Sequence, residues 1–144
     1  IIYCNRKNKA DELQNVLSSQ DFSAGVLHGD MMQKDRENIM SNFRTGSTRI
    51  LITTDMLARG IDIQQVSLVI NFDMPKYPQT YIHRIGRTAR ASEKGEAITF
   101  INPKQIKKFM KIEKLIDKVI PKLDLPQGFK SGPKYVVIKK KSKI

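Results

Sequence analysis

Acidic residues vanish from one part of this chain: none lies between Asp73 and Glu93, the interval that holds Arg84, Arg87 and Arg90. Cysteine is almost missing as well. The single Cys4 excludes an internal disulfide, and a reducing compartment, cytoplasmic or else nuclear, is the expectation. His28 and His83 are the only histidines; with Cys4 they give neither the ligand count nor the spacing of a zinc site, so no metal centre is expected. No run of about eighteen apolar residues occurs, which argues against a membrane span. The chain also opens without Met, on "IIYCNRK", already a strand-like run. It therefore reads as a piece of something longer.

What is present is unevenly distributed. The 144 residues carry a net charge of +12. Residues 1–103 hold 13 basic and 11 acidic side chains, a net of +2, and include all eight arginines. Residues 104–144 hold 13 lysines against Glu113, Asp117 and Asp124, a net of +10. Arginine suits directed, bidentate contacts to phosphate, whereas a Lys-rich tail suits diffuse attraction to a polyanion or serves only as a solvated segment.

Apolar, β-branched runs alternate with helical patterns. "IIYC", "SAGVLH", "RILITT", "VSLVINFD" and "GEAITFI" read as strands. Between them, Ala10, Leu13, Val16 and Leu17 keep a helical spacing, as do Ile39, Met40 and Phe43, with Gly46 placed to end that helix. Pro78 fits the first turn of a helix running through Tyr81 and Ile85. Residues Lys104 to Val119 resume helical spacing, Pro121 onward reads as an extended arm, and "YVVIKK" as a late strand. Ile- and Val-rich strands separated by helices predict an α/β fold, a parallel sheet covered on both faces. Ligands collect at the carboxyl ends of such strands. "HGDM", "TDMLARGID" and "FDMPKYPQ" follow strands directly and so belong to that edge.

Steps of three residues drift by about 60° on a helix, so Arg84, Arg87 and Arg90 project over one broad face. No carboxylate at i±3 or i±4 relieves their repulsion. An exposed basic helix is one reading; a polyphosphate or nucleic-acid site is the other. In "TTDMLARGID", Gly60 allows close backbone approach, and Asp62 can accept hydrogen bonds from ribose hydroxyls. The competing reading is an Asp–Arg network that merely holds the loop. "HGDM" places Gly29 just before a helix N-terminus, a natural phosphate seat. Gln33 and Arg36 of "QKDR" lie near the start of that helix, where a plain solvated face is the alternative.

These segments resemble a known family. "HRIGRTAR" is similar to motif VI of the DEAD-box RNA helicases of superfamily two, "TTDMLARGID" to motif V, "QKDR" to the QxxR motif and "IIYCNRK" to motif IV. "HGDM" stands where the family has a Gly-containing RNA-contacting turn, and order and spacing agree. "LITTDMLARGIDIQQVSLVINFDMP" is especially similar to the translation-initiation-factor helicases. The resemblance covers about residues 1–120. It implies a RecA-like domain, the second of two, with 121–144 as a basic extension. It implies ATP as cofactor, single-stranded or duplex RNA as partner, and an N-terminal RecA-like domain of the same parent chain that holds Mg²⁺. A monomer without membrane association is expected.

By position, the resemblance makes Arg87 and Arg90 arginine fingers toward the γ-phosphate. His83, Arg84 and Arg59 would couple the two domains, and Gly60 and Asp62 would contact the nucleotide. Asn5, Gly29, Gln33, Arg36 and Thr54 would touch the RNA sugar-phosphate backbone. Arg6 stands where the family has threonine, and Ala89 where it has glycine. Neither a GxxxxGK[ST] phosphate loop nor an Asp-Glu-Ala-Asp run occurs in the chain, so nothing in it cradles the β- and γ-phosphates. Alone it is expected to hydrolyse ATP negligibly. A non-catalytic RNA-binding module on a helicase-like scaffold is the alternative.

Overall fold

In the computed structural model the described residues are 1–55, 63, 66–88 and 95–129. They fall into two compact units, Ile1–Phe100 and a second beginning at Ile101, whereas the family resemblance implies a boundary near residue 121. The division coincides with a fresh helix start. The Asn102 side chain caps the turn Pro103–Gln105 while Gln105 Oε1 accepts from the Asn102 N–H, a reciprocal capping box.

Unit one is a five-stranded parallel sheet: β1 (Ile2–Tyr3), β2 (Ala24–Leu27), β3 (Ile50–Thr53), β4 (Leu68–Asn71) and β5 (Glu96–Thr99), in the order β2-β3-β1-β4-β5. Strand and helix positions follow the apolar periodicities. The strand residues alternate between two cores, as a period of two requires. Tyr3, Leu27, Leu51 and Val69 face one side, with Met40, Ile39 and Phe43 of α2 (Gln33–Arg44) packed among them. Ile2, Cys4, Ile52, Val26 and Ile70 face the other, against Ala10, Leu13 and Leu17 of α1 (Lys7–Ser18). Each fully buried aliphatic side chain stabilises by about 1.5–3 kcal/mol relative to exposure, so the strands are held from both faces. Helices α1 and α2 lie on opposite faces because the chain moves one way across the sheet from β1 to β2 and back from β2 to β3, and right-handed crossovers then alternate sides.

Helix α3 (Pro78–Ile85) begins with Pro at its first turn and buries Thr80, Tyr81 and Arg84. In α2, Gly46 follows the last turn with φ +81°, the left-handed conformation that ends helices. Gly25 in β2 is a close-packing position: a Cβ there would lie 3.1 Å from the Thr48 methyl and 3.3 Å from Ile39.

In unit two, α4 (Ile106–Leu115) is shorter than the periodicity predicts. Asp117 takes φ 50°, and the Lys118 N–H reaches back to the Glu113 carbonyl at 3.1 Å, a Schellman-type stop. The Glu113 carboxylate then holds the departing chain through the Ile120 N–H and Lys122. The "YVVIKK" strand and the end of the lysine-rich tail lie outside the described residues.

Candidate functional site

The parallel register puts Leu27, Thr53, Tyr3, Asn71 and Thr99 in one row across the carboxyl ends of all five strands. Three of the five are polar, although Thr53 and Asn71 are completely buried. Polar groups in such a place need partners. Thr53 donates its hydroxyl to the Leu27 carbonyl at 3.0 Å, and Asn71 donates its amide to the Thr99 hydroxyl at 3.1 Å.

The Asn71 oxygen is left for Arg84. That side chain is only 2% exposed and is the largest fully buried one among the described residues. It spends all five N–H groups. Nε and Nη2 grip the two carboxylate oxygens of Asp55 at 2.6 and 2.8 Å, a bidentate pair. Nη1 donates to Asn71 Oδ1 at 3.0 Å and to the Asp73 carbonyl at 2.8 Å, and Nη2 also to Asn5 Oδ1 at 3.1 Å. The guanidinium carbon sits 4.8 Å from the centre of the Tyr3 ring, a cation–π contact. One arginine of α3 thus ties together the segments that leave β1, β3 and β4.

Asn5 is consumed in the same network, since its amide nitrogen donates to the Met74 carbonyl at 3.0 Å. Asp73 accepts from the Asn5 N–H at 3.0 Å and from Lys9 at 2.7 Å. Partial burial pushes the Asp73 carboxyl up. The hydrogen bonds from Lys9 and Asn5 and the charges of Lys9 and Arg84 outweigh that and hold it below its ordinary value. Cys4 lies beneath, its thiol pushed up to about 11 by burial and then by the Asp73 charge.

Arg87 follows Arg84 by one turn and has a different fate. It is half-buried, and among the described residues its guanidinium has no hydrogen bond and no carboxylate. Its main chain is fixed: the N–H donates to the Arg84 carbonyl at 3.2 Å, and its own carbonyl accepts from Val66 at 3.0 Å. Burial raises the Tyr3 hydroxyl pKa, and the charges of Arg87 and Arg84 both pull it back. A second constraint comes from Gly95, where a Cβ would lie 2.7 Å from the Thr88 carbonyl carbon and nearer still to its oxygen. Only a residue without Cβ lets β5 start this close to the turn that carries Arg87.

Arg84, read from the motif as coupling the two domains, has all five N–H donors engaged inside its own unit. The carboxylate that relieves it comes from Asp55, 29 residues away, beyond any i±4 search. His83, by contrast, is exposed.

Around the end of β2, Arg36 turns back from α2. Its Nε donates to the Met31 carbonyl and its Nη2 to the Gly29 carbonyl, both at 2.9 Å. Arg36 therefore braces the His28–Met31 turn, and its other guanidinium nitrogen has no partner among the described residues. Gln33 is exposed and donates to Glu37 one turn along at 2.8 Å. Thr54 is half-buried, and its hydroxyl has no partner among the described residues. His28 pairs with Asp11 at 3.0 Å. Arg59, Gly60, Asp62 and Arg90 lie outside the described residues, as does Ala89.

Tyr3, Asn71, Asp55 and Asp73 escape a motif-level reading as site residues. Asn71 leaves a visible signal, a lone amide inside the apolar run "LVINF"; Tyr3 leaves none.

The chain matches the helicase conserved C-terminal domain family over residues 1–92. It is 52% identical over 128 residues to eukaryotic initiation factor 4A of Cryptosporidium parvum, covering 89% of this chain and 31% of that protein. The structure is similar to a DEAD box protein from the hyperthermophile Methanococcus jannaschii, with a TM-score of 0.79, 43% identity, and 85% of this chain on 34% of the other. It is also similar to Saccharomyces cerevisiae Dbp5 bound to RNA and ADP BeF3, with a TM-score of 0.75, 39% identity, and 83% of this chain on 32% of the other. The chain thus spans about a third of the length of these relatives. The family match covers well over half of the chain and takes in strands β1 to β4 together with Arg84 and Arg87; the chain belongs to the helicase conserved C-terminal domain family, in its DEAD-box branch.

Proposed function

We propose that this chain serves as the C-terminal RecA-like half of an ATP-dependent RNA helicase, presenting Arg87 and Arg90 to a nucleotide held on an N-terminal RecA-like domain of the same parent chain. The observation that carries the reading is the contrast between two arginines one turn apart. Arg84 has every donor satisfied, while the Arg87 guanidinium has no partner among the described residues.

A planar, always-charged guanidinium on a fixed main chain fits an anionic phosphoryl group approached from across a cleft. ATP, when bound, supplies the transferable phosphoryl group, with Mg²⁺ and the phosphates held by the N-terminal domain. On this side, Gly60 and Asp62 would meet the ribose, and the loop of Arg59 with His83 would face the partner domain. Arg84 acts from within, as the residue that sets the height and angle of the Arg87 turn.

RNA would run along the neighbouring strand ends. Thr54 and Gln33 offer side-chain donors to phosphates and 2′-hydroxyls. Gly29 offers backbone, and Arg36 and Asn5 act largely by holding the loops. Such contacts give affinity and register without a base code. Nucleotide-driven closure of the two domains on a strand held this way parts a short duplex. A relative solved with RNA and ADP BeF3 supports both ligands.

The test uses the parent chain with both domains. Arg87→Ala, and also Arg87→Lys, are expected to keep RNA binding and to lose RNA-stimulated ATP hydrolysis by about 10³-fold or more, the usual worth of an arginine finger. Unchanged turnover in Arg87→Ala and Arg90→Ala would instead favour the non-catalytic RNA-binding scaffold.

A further inference from the structure

Helix α4 carries an arrangement that its own stability does not call for. At 100° per residue, Lys107, Lys111 and Lys114 fall within about 60° of one another, and all three are exposed. The buried residues Phe109 and Ile112 lie on the opposite side. Lys104, also exposed, sits in the turn immediately before the helix. None of these four lysines has an ion pair or hydrogen bond among the described residues. The acid that does point out of α4, Glu113, is engaged by Lys122 and the Ile120 N–H.

Like charges at i,i+4 and i,i+3 are destabilising in a helix. Lysines at a helix N-terminus, where the first turn of α4 has Lys107 and Lys108 and no acid, oppose the macrodipole. A face selected for solubility alone would mix signs, as surface helices do. An unneutralised stripe with a rise of about 4.5–6 Å between charges instead matches a linear polyanion.

We infer that the Lys107–Lys111–Lys114 face of α4 is a second binding surface for the phosphate backbone of single-stranded RNA, built from none of the strand-end residues. The choice of RNA over other polyanions rests on the functional reading above; the surface itself does not. Three phosphates neutralised on a single strand change the salt slope, d log K/d log[salt], by about 2. Binding is indifferent to base sequence, since ammonium groups carry charge without a directed fork.

The experiment titrates the full chain, its lysine tail intact, against an unstructured oligouridine over a range of salt, without nucleotide. The triple variant Lys107→Gln, Lys111→Gln, Lys114→Gln removes the charge while keeping length, and Gln is nearly as good a helix former as Lys; circular dichroism checks that the helix persists. The salt slope should flatten by about 2, and the matching triple Lys→Arg variant should keep the original slope. A Gln triple with an unchanged slope overturns the inference. So does one that keeps its RNA slope but loses binding to phosphatidylserine vesicles, which would assign the stripe to an anionic membrane. Because no hydrolysis is read, this outcome is independent of the Arg87 test: ATP turnover that survives Arg87→Ala would sink the functional reading and leave the slope untouched.

Discussion

Arg84 shows how one residue type serves two ends at positions three apart. Its pair with Asp55 is nearly dry on the arginine side, with 2% of the side chain exposed against 30% for the aspartate. Removing one partner of a buried pair is costly because the other is left uncompensated. Arg84→Lys offers three donors on a flexible stem in place of a five-donor fork. It is expected to cost about 3 kcal/mol or more, read as a lowered urea midpoint; a change under about 0.5 kcal/mol, the size of an ordinary surface effect, would show that the network holds nothing. Asp73 adds a pH dependence with a definite sign. Its folded pKa lies below the unfolded one, so its contribution is fully present above about pH 4 and is lost as pH falls through the folded value. Asp73→Asn should therefore flatten the acid limb of stability against pH. An acid limb of unchanged steepness would count against the Lys9 and Asn5 contacts as its source.

Among the elements, β5 and the end of α3 are coupled by a contact that tolerates no Cβ. Adding a methyl at Gly95 meets the Thr88 backbone, which cannot rotate away. At Gly25 the nearest atoms are side-chain methyls at 3.1–3.3 Å, and these can shift by a few tenths of an ångström. Gly95→Ala is therefore expected to destabilise by roughly 1–3 kcal/mol, the cost of forced overpacking, and to do so more than Gly25→Ala. Equal midpoints for the two variants in urea would contradict this. Because Thr88 adjoins Arg87, Gly95→Ala should also lower turnover in the parent chain beyond what lost stability explains.

For the whole molecule, the proposed function makes the sheet edge one side of a reaction centre. The chain contains no phosphate-binding loop, and it spans about a third of its relatives. Residues 1–144 alone are expected to show no RNA-stimulated ATP hydrolysis, and to gain it when an N-terminal RecA-like domain is supplied in trans. Turnover by the chain alone would require the phosphates to be held by residues that carry no such motif. The net charge of +12 gives every RNA measurement a salt dependence, so the strand-end site and the α4 stripe are separated by variants at a common ionic strength.

The amino-acid sequence determined the order of strands and helices, the two apolar faces of each strand, the proline that opens α3 and the glycine that ends α2. Each of these is written in periods of two and 3.6 or in single-residue backbone preferences, and needs no distant neighbour. Motif spacing likewise placed "HRIGRTAR" in its family. Only the tertiary structure decided which arginine is committed. The partners of Arg84 are Asn5, Asp55, Asn71 and Asp73, up to 79 residues away in the chain, and they meet only because the parallel register aligns the ends of β1, β3 and β4. A local pattern presents Arg84 and Arg87 as equals; long-range hydrogen bonding saturates the first and, among the described residues, gives the second no partner.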